Sequence, residues 1–192
     1  MPDRDQSIFA DARVLIIDDV EANVLLLRRI LRTAGVTHVV GLTDPCAAVD
    51  CCREFGPDLV LLDLHMPTMD GIELLLALHA SVSEDAYLPI VVLIADDRPE
   101  AKKRALAAGA NDFLTKPLDH VEVLLRVRNL LTTRALYARV QHHNAVLRHN
   151  LARQREREQR TDRLRRFKSE RVRRVLDCGG LSMVFQPIVD LQ

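Results

Sequence analysis

RVLIIDD, residues 13–19, is a short, unbroken apolar run that ends on two adjacent carboxylates. A run of this length, rich in Ile, Leu and Val and without polar alternation, reads as a strand buried on both faces of a parallel sheet. Three further runs share its form: DLVLLD (58–63) ends on Asp63, the apolar part of PIVVLIAD (89–96) ends near Ile94, and DFLTKP (112–117) reaches Lys116. The expected strands are 13–18, 37–41, 58–63, 89–95 and 111–115. Amphipathic helical patterns lie between them near 21–34, 44–55, 71–81 and 98–108, and another starts near Asp119. Asp70 before Gly71, and Pro99-Glu100 before AKKRALAAGA, are helix-start signals. Five strand–helix units joined by a few residues each predict a three-layer α/β domain whose strands are all parallel.

An open parallel sheet places its ligand crevice outside the carboxyl ends of the strands. Asp18, Asp19, Asp63 and Lys116 would therefore meet at one edge. Two carboxylates ~4–5 Å apart repel by roughly 3–4 kcal/mol at an effective dielectric near 20. A group of three must take up protons or recruit a cation. Mg²⁺ suits an oxygen-only site that leaves room for water and phosphate oxygens. Beside such an ion one carboxylate can attack phosphorus and Lys116 can neutralise the transferred group.

The 192 residues suffice for one well-buried domain and an extension. No stretch approaches the roughly 18 apolar residues that span a bilayer, and the amino terminus carries charge where a secretory signal would be apolar. Cys46, Cys51, Cys52 and Cys178 lack paired CxxC spacing and read as free thiols. A cytoplasmic protein with no membrane partner is the expectation.

A net charge of zero hides an asymmetry: residues 1–125 carry −10 and residues 126–192 carry +10. No Pro or Gly interrupts the helical pattern from Asp119 to Asp177, a length that predicts a coiled coil. In sevens, Leu130, Tyr137, Asn144 and Leu151 share one seam position, and Thr133, Val140, Leu147 and Gln154 the other. An asparagine inside such a seam fixes a two-stranded register, so a homodimer through this helix is expected. Residues 152–163 hold almost no apolar side chain and read as solvated helix or hinge. Leu164, Phe167, Val172, Val175 and Leu176 restore an apolar face. The basic residues are spread around the helix and no helix-turn-helix pattern follows the α/β part, so a nucleic-acid partner is not expected.

VLIIDD, LVLLDLHMPTMDG, PIVVLIAD and ALAAGANDFLTKP, in this order over about residues 12–130, resemble the receiver domain of bacterial two-component response regulators. The resemblance implies a (βα)₅ fold with strand order 2-1-3-4-5 and Asp63 as phosphoacceptor for a sensor histidine kinase. It implies Asp18, Asp19, Asp63 and the backbone carbonyl of His65 as ligands for Mg²⁺. Lys116 would contact the phosphoryl group, the Lys116–Pro117 bond would be cis, and Phe113 would be the switch aromatic. The chain departs from that pattern at Ile94, where the family has Ser or Thr. Isoleucine cannot donate a hydrogen bond to a phosphoryl oxygen, which makes a phosphorylation-independent dimerisation module the alternative reading.

RVLDCGGLSMVFQPIVDLQ is similar to the opening of an EAL domain, the phosphodiesterase that hydrolyses cyclic di-GMP. The expected organisation is a receiver at 1–128, a helical linker at 129–177 and the truncated start of an EAL-like domain at 178–192. Such a chain would be a regulatory piece of a longer enzyme.

Overall fold

The computed structural model describes residues 9–83, 86–95 and 99–177, with the side chains of Pro99, Leu164 and 175–177 left aside. Residues 178–192, read above as the opening of an EAL-like domain, lie outside the described residues. Five strands and five helices alternate: β1 (Arg13–Ile17), α1 (Glu21–Thr33), β2 (His38–Leu42), α2 (Ala48–Phe55), β3 (Leu59–Asp63), α3 (Gly71–Ser81), β4 (Ile90–Ile94), α4 (Pro99–Ala107), β5 (Asp112–Thr115) and α5 (His120–Asp177). The sheet runs β2-β1-β3-β4-β5 with every pairing parallel, the expected order 2-1-3-4-5.

Strand periodicity divides the core in two. Val14, Ile16, Leu59, Leu61, Val91 and Leu93 face α1 and α5, while Leu15, Ile17, Val60, Leu62, Val92 and Ile94 face α2, α3 and α4. Successive side chains point to opposite faces. A strand covered on both sides must therefore be apolar throughout, and β3 and β4 are buried at every position.

Two local features were not anticipated. The 44–55 helix opens as a 3₁₀ turn at Pro45–Ala47, where the Asp44 carboxylate accepts from the Cys46 N–H at 2.9 Å. After β3, His65–Met66 and Met69–Asp70 pair as a small antiparallel ribbon. Cys46, Cys51 and Cys52 are free thiols, and burial is the main cause that raises the Cys51 and Cys52 pKa values.

The chain divides into two compact units, Met1–Gln141 and His142–Gln192. In the first, α5 buries Val123, Val127 and Leu131 at intervals of four. Two residues assigned above to the coiled-coil seam are engaged inside this unit. Leu130 packs against the α1–α5 core. Tyr137 meets Tyr87, ring centroids 5.5 Å apart, and accepts from Gln141 Nε2 at 3.0 Å. A heptad count cannot tell which neighbour covers a face, and here the first unit covers it first. In the second unit every described side chain from His142 to Arg174 is exposed, and residues 152–163 are helix with no break. Among the described residues no helix is long and apolar enough to cross a membrane.

Candidate metal and phosphoryl site

The only charged residues buried among those described are Asp18 and Asp63. Asp18 and Asp19 follow β1 directly, and Asp63 ends the adjacent β3. The pairing of Ile17 with Leu62 brings the two strand ends level. One oxygen from each of Asp18, Asp19 and Asp63 lies within 4.8 Å of the others. Lys116 arrives from the end of β5. Its N–H donates to the Ile94 carbonyl at 2.8 Å, and the Lys116–Pro117 peptide bond is cis. The ammonium then reaches across to Asp18 Oδ2 at 2.9 Å and Asp63 Oδ2 at 2.8 Å. All four expected residues thus share one site.

The electrostatics follow from this geometry. Burial pulls the Lys116 pKa down, but hydrogen bonds and charge from Asp63 and Asp18 outweigh it and hold the ammonium above its ordinary value. Asp18 is saturated. Its Oδ1 accepts from the Val20 N–H at 3.0 Å and from Asn23 Nδ2 at 2.9 Å; its Oδ2 accepts from Asn23 at 3.0 Å and from Lys116. Asp63 Oδ1 accepts from the His65 N–H at 3.3 Å. Asp19 Oδ1 is buried with no hydrogen-bond partner. A buried carboxylate oxygen left unpaired is costly, and a hard divalent cation is the partner that an oxygen-only set of this kind fits.

The loop after Asp63 depends on Gly71. A Cβ there would stand 2.5 Å from Leu64 Cα, 2.7 Å from the Asp63 carbonyl oxygen and 2.9 Å from that of Leu64. These are backbone atoms, so only glycine lets α3 begin this close to the end of β3. His65 follows with its side chain exposed.

Ile94 is fully buried at the end of β4, in register with Thr115. No hydroxyl stands at that position. Phe113 is half-buried, with Lys102 Nζ 5.0 Å and the Arg126 guanidinium 5.4 Å from its ring centroid. Arg126 also holds Asp112 and, at 2.8 Å, Glu122. The aromatic therefore sits in a cation-flanked notch joining α4, β5 and α5.

Asn23 escaped the sequence reading. A polar residue on the first turn of a helix is unremarkable in a string of letters, and its only signal is a position beside the apolar Val24 and Leu27 that face the core. Because Asn23 orients Asp18, the Asn23→Ala variant is expected to bind Mg²⁺ about tenfold more weakly. A calorimetric MgCl₂ titration checks this, and equal affinities would remove Asn23 from the site.

Comparison with known proteins agrees with this geometry. The family model described as "Response regulator receiver domain" matches residues 14–128. Response regulator PleD of Caulobacter vibrioides is 38% identical over 119 residues, which cover 62% of this chain and 26% of that protein. The sensory/regulatory protein RpfC of Xanthomonas campestris pv. campestris is 39% identical over 126 residues, covering 65% and 17%. The chain thus spans about a quarter or less of these two relatives. Among solved structures, the receiver domain of Francisella response regulator 1452 aligns with a TM-score of 0.58 and 28% identity, over 64% of this chain and 98% of that one. The matched stretch contains both the five-stranded sheet and the acidic site, and the chain belongs to the response regulator receiver domain family.

Proposed function

We propose that Asp63 accepts a phosphoryl group from the phosphohistidine of a sensor histidine kinase. An Asp63 oxygen bonds phosphorus as the P–N bond breaks, and the electron pair leaves on the imidazole. Asp18, Asp19, Asp63 and the backbone carbonyl of His65 would hold Mg²⁺, which when bound neutralises charge on the phosphoryl oxygens. Asn23 and the Val20 N–H keep Asp18 in place, and Lys116 offsets the negative charge that the new bond brings. The observation that carries this reading is the Lys116 ammonium bridging Asp18 and Asp63 beside the unpartnered oxygen of Asp19.

The added charge would be read at the Phe113 notch and passed along α5 to a second copy and to an EAL-like cyclic di-GMP phosphodiesterase output. The similarity of 178–192 to the start of such a domain supports that output.

Incubation with phosphoramidate and Mg²⁺, followed by intact mass measurement, tests the proposal. One phosphoryl adduct, abolished by a chelator and mapped to Asp63, is expected; no adduct would leave the alternative, a phosphorylation-independent dimerisation module. Ile94 bears on the switch rather than on the chemistry. A hydrogen bond to a charged group is worth about 1.5–3 kcal/mol, or roughly one to two decades of conformational preference. Ile94→Thr is therefore expected to raise the fraction of activated conformer in the beryllofluoride-treated protein, read from the amide resonances around Phe113. Unchanged spectra would show that the hydroxyl has no place in this variant of the site.

A further inference from the structure

Beyond Tyr137 the seam side of α5 is left uncovered by the described residues. Val140, Leu147 and Leu151 are large apolar side chains exposed at 57%, 47% and 54%. Continuing the same repeat of seven, the seam passes through exposed Gln154, Glu158 and Thr161 and then reaches exposed Arg165 and Lys168. Gln154 Nε2 donates to Glu158 Oε1 at 3.1 Å along the helix, so these two polar side chains of the seam are tied to each other.

We propose that a second copy of this chain covers this face, parallel and in register over Val140–Gln154, and that Arg165 and Lys168 hold the seam open further along. This rests on the dimer included in the reading above and gives it direction, register and extent.

Two observations favour a parallel copy. Asn144, exposed in the apolar part of the seam, meets its own counterpart only in that arrangement, where one amide donates and the other accepts. Opposite Leu147 or Val140 it would be buried without a partner. Just past the paired stretch, Arg157 and Asp162, both exposed, flank the seam five residues apart. A parallel pair sets the guanidinium of one helix against the carboxylate of the other.

The same alignment decides where pairing stops. Each charged seam residue faces its own kind, so Glu158 meets Glu158 of the copy, Arg165 meets Arg165 and Lys168 meets Lys168. Like charges brought together in a partly desolvated seam repel. The helix therefore carries a closed segment followed by an open one, and the junction is the place where pairing strength can be adjusted without touching the phosphoryl site.

Sedimentation equilibrium of the full chain tests this with three variants. Leu147→Asp is expected to shift the protein to monomer, with self-association ~100-fold weaker. Its side chain is exposed within the chain, so uptake of phosphate at Asp63 should be unaffected and serves as the control for folding. The pair Arg165→Leu with Lys168→Leu is expected to tighten the dimer ~10-fold, about 1.4 kcal/mol. Asn144→Cys under mild oxidant should give a disulfide joining the two substituted positions, identified by peptide mass. A dimer that survives Leu147→Asp, or a crosslink from position 144 to a different residue, overturns the register. A charge-removed pair no tighter than the parent overturns the open segment. A monomer in every variant overturns dimerisation itself, while phosphoryl uptake on the same samples reports separately on Asp63.

Discussion

Lys116→Ala is expected to lose about 3–5 kcal/mol of stability at neutral pH, the range for removing one partner of a buried ion pair. Among the described residues the ammonium is the one cation within hydrogen-bond distance of both Asp18 and Asp63, whose side chains are 0% and 4% exposed. Without it two carboxylates face each other beside Asp19. Added Mg²⁺ should stabilise the variant more than the parent, because it replaces the missing charge. The pH dependence has a definite sign. The folded-state pKa of Lys116 lies above its ordinary value of 10.5. Its contribution is therefore complete below that value and is lost as pH rises through the folded pKa. The parent should weaken in strong alkali through this group, and the variant should lack that component. Denaturant unfolding at pH 7 and at pH values above 10.5, with and without MgCl₂, checks each statement. A variant as stable as the parent at pH 7 would show that the bridge is not the element holding the strand ends together.

Gly71→Ala is expected to destabilise the fold by about 3 kcal/mol, the upper end for forcing atoms into a packed interior. The new methyl would meet the Cα of Leu64 and the carbonyl oxygens of Asp63 and Leu64. Flexible side-chain ends can swing aside; these backbone atoms cannot move without shifting the end of β3. Since that strand end carries Asp63, phosphoryl uptake should slow as well as stability fall. Thermal unfolding and the rate of adduct formation measure the two effects. A stable variant with slow uptake would place the strain on the site alone, and an unperturbed variant would refute the close approach.

Much of this was legible in the letters because burial on both faces leaves a strand no room for polar residues. The run from Leu59 to Leu62 is wholly apolar and wholly buried, so its edges fall within a residue of the expected ones. The same logic exposed the site. A charged residue is tolerated only where such a strand ends, and Asp18, Asp63 and Lys116 stand at those ends. Asn23 gave no comparable signal, since helix starts are commonly polar. The ribbon at His65–Asp70 was hidden too, being four paired residues in a loop.

The long helix shows the limit from the other side. Its continuity follows from composition, as nothing between Asp119 and Asp177 breaks a helix. Which neighbour covers each of its faces does not. Leu130 and Tyr137 carry the heptad spacing of Asn144 and Leu151, yet they pack inside the first unit.

By itself, then, the order of residues determined the strand–helix alternation, the edge at which acids and lysine gather, and the length of α5. These depend on local spacing and on the rule that charge stays out of a two-sided core. Only the tertiary structure decided that Asn23 clamps Asp18, that Asp19 keeps an unpaired oxygen, and that Tyr137 belongs to Tyr87. Each of those is a contact between segments whose separation in the chain sets no distance in space. It is settled when the elements pack, and not before.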